Sequence, residues 1–133
     1  MPPERKPADN AVEWLNRARS DLTLAGNRIE RVYLEDLCFH AQQAAEKGLK
    51  AIFVSRGWRY PYAHDLSALI TELLKFKLDV PADVQDCVVL TEYAVEGRYP
   101  GFDEPVSEEE YLDAIVKAKR VLQWASSIVN VRT

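Results

Sequence analysis

The stretch Cys38–Lys50, CFHAQQAAEKGLK, decides the fold. Cys38, Ala41, Ala45, Gly48 and Ile52 recur at steps of 3, 4, 3 and 4, and Leu37, Ala41, Ala44, Gly48 and Ala51 run beside them. That spacing is the signature of one buried helix face, here lined by very small side chains. A glycine within a helix costs about 1 kcal/mol relative to alanine, so Gly48 is expected where another backbone comes close. The opposite face carries His40, Gln43, Lys47 and Lys50, again at helical steps. One helix therefore combines a tight packing seam with a polar, basic ridge, a pattern that suits a helical bundle with a ligand or partner.

Working outward, helical punctuation repeats on both sides. Asn10 with Glu13 forms a capping-box pattern, and Leu15, Ala18, Leu22, Ala25 and Ile29 mark a first helix to about Arg31. A break at Val32–Tyr33 precedes the second helix, Leu34–Ser55, which Gly57 stops. After the aromatic, basic loop GWRYPYA at Gly57–Ala63, a third helix over Asp65–Lys77 buries Leu66, Leu69, Ile70, Leu73 and Leu74. Pro81 suits the start of a fourth helix that uses Val84, Cys87, Val88, Thr91 and Ala94 and ends at Gly97. A loop over Arg98–Val106 leads to a second capping box, Ser107 with Glu110, and to a last helix. Its buried side reads Tyr111, Ala114, Ile115, Ala118, Val121, Leu122, Ala125 and Ile128. Five helices, no strand pattern and no repeat predict an all-α, mostly up-and-down five-helix bundle.

The 133 residues suffice for one domain with a substantial core. Residues 1–9, polar and proline-rich, read as a flexible leader, and residues 10–133 as the single helical domain. No apolar run approaches the length of a membrane span and no secretion signal opens the chain, so a cytoplasmic protein with two reduced, buried cysteines, Cys38 and Cys87, is expected. Four metal ligands are not assembled anywhere, and no metal or cofactor is implied.

The net charge of −4 disfavours non-specific duplex binding, but the charge is unevenly spread. Between Lys47 and His64 lie Lys47, Lys50, Arg56 and Arg59 with no acidic residue, which leaves −8 on the remainder. The guanidinium groups of Arg59 and Arg98 are the best phosphate partners, with Lys47 and Lys50 as further point charges. Tyr99, Trp58, Tyr60 and Tyr62 offer faces on which a base could stack, or apolar surface for packing the loops. His40 and His64 are the histidines, each readable as a packed or capping side chain or as an acid–base group.

The phrases FHAQQAAEKGLKAIFVSRG (residues 39–57), HDLSALI (residues 64–70) and EGRYPGF (residues 96–102) together resemble the HEPN domain, the prokaryotic and eukaryotic nucleotide-binding family. The likeness runs from about Val12 to Val129 and is most specific in AQQAAEK. It implies a five-helix bundle that forms a homodimer and acts beside a minimal nucleotidyltransferase. It also implies one of three roles: nucleotide- or partner-binding module, metal-independent ribonuclease of a toxin–antitoxin pair acting on RNA, or dimeric scaffold. The ribonuclease branch carries an Arg, four to six residues, then His near a late helix. The positional counterpart of that arginine is Arg98, but Asp103, Glu104 and Pro105 stand where the histidine belongs, so the motif is broken. Arg59 and His64 match the bare spacing at a different place, before the third helix. The expectation is a binding module for a nucleotide or single-stranded RNA, through Lys47, Lys50, Arg59, Arg98 and Tyr99, with Arg59 and His64 as the alternative catalytic pair.

Overall fold

The computed structural model describes residues 1–94 and 105–130. Arg98 and Tyr99 lie outside the described residues. Helix α1 spans Ala11–Gly26, α2 Leu34–Arg56, α3 Leu66–Lys75, α4 Ala82–Gln85 and α5 Glu108–Asn130; α4 runs on into a 3-10 segment, Asp86–Tyr93. No strand occurs among the described residues. The all-α bundle of five helices is thus as the periodicity predicts.

Helix α2 is the central element, in contact with α1, α3, α5 and the 3-10 segment. All the small residues of its seam are buried, as are Leu49, Ile52 and Phe53. A Cβ at Gly48 would sit 3.3 Å from Leu122 Cδ1 and 3.5 Å from Val121 Cγ1. The glycine therefore makes room for two side chains of α5, not for a backbone. Gly57 ends α2 in the left-handed conformation at φ 69°, and the Trp58 N–H closes back onto the Phe53 carbonyl at 2.9 Å.

Two ends differ from the sequence reading. Helix α1 stops at Gly26, where the Asn27 N–H turns back to the Leu24 carbonyl; the poor helix formers Gly26 and Asn27 outweigh the register, and Ile29 is 55% exposed. The first capping box is half made: Asn10 accepts from the Val12 N–H at 2.9 Å, while Glu13 takes the Lys6 N–H and Arg17 Nε. The second is complete, with Ser107 Oγ accepting from the Glu110 N–H and Glu110 accepting from the Ser107 N–H.

The fourth helix departs further. Val84, Cys87, Leu90 and Tyr93 are buried, a strict period of three, and Val88 is partly exposed. Three residues per turn is the 3-10 repeat, so this segment presents one narrow edge to α2 and α5 in place of the wider α-helical stripe. In α3, Leu74 faces outward, and Phe76 just beyond the helix stacks on Trp58 with ring centroids 4.3 Å apart.

Both cysteines are buried thiols outside any disulfide, and burial followed by the neighbouring Asp86 charge pushes the Cys87 thiol up to about 12. Among the described residues no helix is long and apolar enough to cross a membrane.

Candidate functional site

The polar face of α2 is organised by two carboxylates. Glu46 lies on α2 itself, one turn before Lys50, the helical neighbour spacing at which Glu and Lys side chains meet. Its Oε2 accepts from Lys50 Nζ at 3.0 Å; its Oε1 lies 3.0 Å from His64 Nδ1 and accepts from Gln42 Nε2 at 3.1 Å. Gln42, fully buried, also donates to the His64 carbonyl at 3.2 Å, so the loop before α3 is tied to α2 by backbone and side chain together. Burial disfavours the Glu46 charge, but the bonds from Lys50, His64 and Gln42 outweigh it and hold the carboxyl below the ordinary range. The Lys50 ammonium also sits 5.1 Å from the centre of the Tyr60 ring.

Asp21 of α1 forms the second cluster. Its Oδ2 accepts from Lys47 Nζ at 2.6 Å and its Oδ1 lies 3.0 Å from His40 Nδ1. Each histidine of the chain is therefore held on one carboxylate through Nδ1. Among the described residues no buried side-chain polar atom lacks a hydrogen-bond partner, so the polar face of α2 is internally satisfied.

This geometry sorts the predicted site residues. Lys47 and Lys50 are brought together with Asp21 and Glu46, so most of their charge is compensated within the fold. Trp58 and Tyr60 pack inward: Trp58 on Phe76 and Phe53, Tyr60 on Phe53 and Trp14. Arg59 is exposed, with no side-chain partner among the described residues, and Tyr62 is entirely exposed. The His64 side chain is 72% exposed despite its anchor on Glu46. Residues 59–64 thus present a guanidinium, a phenol ring and an imidazole to solvent from one short loop.

Sequence reasoning missed Gln42, Glu46 and Asp21. Signals for two of them were present: the Glu46–Lys50 spacing, and the position of Asp21 three residues after Ala18 and four before Ala25, an acid in a core register. No group of three His, Cys, Asp or Glu side chains among the described residues could hold a metal ion.

The HEPN domain profile matches residues 11–128. Two solved structures share the fold over nearly their whole length. TT1696 from Thermus thermophilus is 30% identical, with a TM-score of 0.74, covering 89% of this chain and 97% of the other. ST0689, described as an archaeal HEPN homologue, is 26% identical, with a TM-score of 0.72, covering 91% and 98%. A comparison with curated proteins returns no match. With its profile match spanning all five helices, this chain belongs to the HEPN domain family.

Proposed function

We propose that this HEPN domain is a homodimeric binding module that holds a nucleotide or the end of a single-stranded RNA and acts beside a nucleotidyltransferase in a toxin–antitoxin-type system. The observation that carries the reading is the loop of residues 59–64, where Arg59, Tyr62 and His64 are exposed together beside the buried Glu46 anchor. A guanidinium with no counter-ion among the described residues suits a phosphate, and an exposed phenol ring suits a base. In this reading Lys50 is structural, held by Glu46 and Tyr60; Lys47, half-buried on Asp21, adds field rather than a direct contact. Arg98 and Tyr99, outside the described residues, are proposed from the sequence alone as further phosphate and base contacts.

One observation favours a second reading. His64 is fixed through Nδ1 by a carboxylate, which leaves Nε2 as the ring nitrogen able to exchange a proton with a ribose 2′-hydroxyl, while Arg59 braces the phosphate. That would make the chain a metal-independent ribonuclease.

Calorimetric titration with ATP, GTP and a short single-stranded RNA, followed by a gel of the RNA, separates the two. Saturable binding with intact RNA supports the module. Its affinity should fall by about 1.5–3 kcal/mol for each charge-assisted contact removed in the double variant Arg59→Ala/Arg98→Ala. Cleavage that persists with a chelator and disappears in His64→Ala establishes the ribonuclease instead. Unchanged affinity in a folded double variant sinks the site.

A further inference from the structure

Helices α1 and α5 leave between them an open groove of about 610 Å³, lined by Arg19, Leu22, Lys119, Leu122, Gln123 and Ser126. Among the described residues no carboxylate lines it. The Arg19 guanidinium spans the groove to donate to Ser126 Oγ at 3.0 Å, a single neutral anchor that leaves its other N–H donors unused. Lys119 is exposed and forms no ion pair among the described residues, in contrast to Lys117, which pairs with Asp113. From Val116 to Asn130 helix α5 carries Lys117, Lys119 and Arg120 and no acid. Half-buried Leu22 and the packed Leu122 give the groove an apolar floor.

We infer that this groove docks an acidic amphipathic helix of a partner protein, with apolar side chains on Leu22 and Leu122 and carboxylates on Arg19 and Lys119. Two adjacent helices flanking an apolar floor form the groove geometry by which amphipathic helices are recognised. Cations along the walls that have no carboxylate partner among the described residues select the acidic ones, and a planar guanidinium grips a carboxylate through two bonds. A nucleic acid fits less well, because no lining side chain is aromatic and a base finds nothing to stack on. A second copy of this chain is a poor donor: in its acidic run Glu108 is engaged by Arg28 and Glu110 by Ser107, which leaves Glu109 alone to meet two cations. This surface is separate from the loop of residues 59–64 and stands or falls independently of it.

The test is shift mapping on the isotope-labelled full chain with three probes. One is a peptide of about 14 residues, four helical turns, with leucines at helical spacing flanked by glutamates. The second replaces those glutamates with lysines, and the third is an oligouridylate of matching net charge. The expected result is that the glutamate peptide moves Arg19, Leu22, Lys119, Leu122 and Ser126. Its affinity should drop at least about tenfold in Arg19→Ala/Lys119→Ala and be unchanged in Arg59→Ala. Both substituted side chains are at the surface, so the variant keeps the fold, and the charge reversal Lys119→Glu should transfer preference toward the lysine peptide. Absence of shifts in the groove at millimolar glutamate peptide, equal binding of the lysine peptide, or stronger binding of oligouridylate at these residues overturns the inference.

Discussion

Two carboxylates hold the polar face of α2, and each holds one lysine and one histidine. Asp21 comes from α1 and meets Lys47 and His40, whose side chains keep 28% and 33% of their exposure. Glu46 comes from α2 itself and meets Lys50, 10% exposed, and His64, 72% exposed. The parts are the same and the burial is distributed oppositely. Around Asp21 both the lysine and the histidine are shared with water. Around Glu46 the lysine and the Gln42 amide are enclosed, and the histidine alone faces out. The same chemistry thus serves to clip two helices in one place and to mount a solvent-facing imidazole on an enclosed base in the other.

The sharpest break of this comparison is Glu46→Ala. It strands the Lys50 ammonium inside the fold and removes an acceptor of the buried Gln42 amide, and breaking an enclosed ion pair by deleting one partner costs about 3–5 kcal/mol. Domains of this kind have a total stability of about 5–15 kcal/mol. Urea denaturation should therefore show a large fall in midpoint. A fall of under about 1 kcal/mol would mean that Lys50 reaches water readily and that enclosure does not distinguish the two clusters.

The pH dependence sharpens the same point. The Glu46 carboxyl is held below its ordinary value of 4.5, so in acid the folded state binds fewer protons than the unfolded chain at this group. Its contribution is accordingly complete above about pH 4.5 and is lost as pH falls through the depressed folded value. Comparing the wild type with Glu46→Gln from neutral pH into acid should show a stability gap that is level at first and narrows below about 4.5. Glu13 is also held low, by the Lys6 N–H first and then by Arg17, but it titrates in both proteins and cancels in the difference. A gap that widens below about pH 4.5 would show the opposite sign for the Glu46 shift.

These clusters also mark the boundary of what the sequence discloses. The seam of Ala41, Ala45 and Gly48 was legible because apolar periodicity is a local property of one helix. So was the stop at Gly57, which needs only a residue that tolerates positive φ. The pairings of Lys47 with Asp21, 26 residues away, and of His64 with Glu46, 18 residues away, exist only after the helices dock. Without them the run from Lys47 to His64 reads as a free basic ridge. The fold instead compensates both lysines and leaves Arg59 exposed, with no side-chain partner among the described residues. The 3-10 segment escapes the sequence for a different reason. Over one short stretch, periods of 3 and 3.6 share Val84 and Cys87 and diverge only at Leu90 and Tyr93, where packing against α2 and α5 decides. At Gly48 the need for space was legible, but whether backbone or the Leu122 side chain fills it was a matter of tertiary contact.

The smallest effect is expected at the other carboxylate. Asp21→Ala removes two contacts, at 2.6 Å and 3.0 Å, yet it should cost only about 1 kcal/mol. Lys47 and His40 each retain about a third of their exposure, so both can turn to water once the carboxylate is gone, and no charge is left stranded. Screening supplies an independent check: added salt should shrink the penalty of Asp21→Ala and leave that of Glu46→Ala nearly untouched, because ions reach the first pair and not the second. If Asp21→Ala proves as costly as Glu46→Ala and equally insensitive to salt, then the docking of α1 on α2 depends on that ion pair. The two clusters would then be equivalent in energy despite their difference in enclosure.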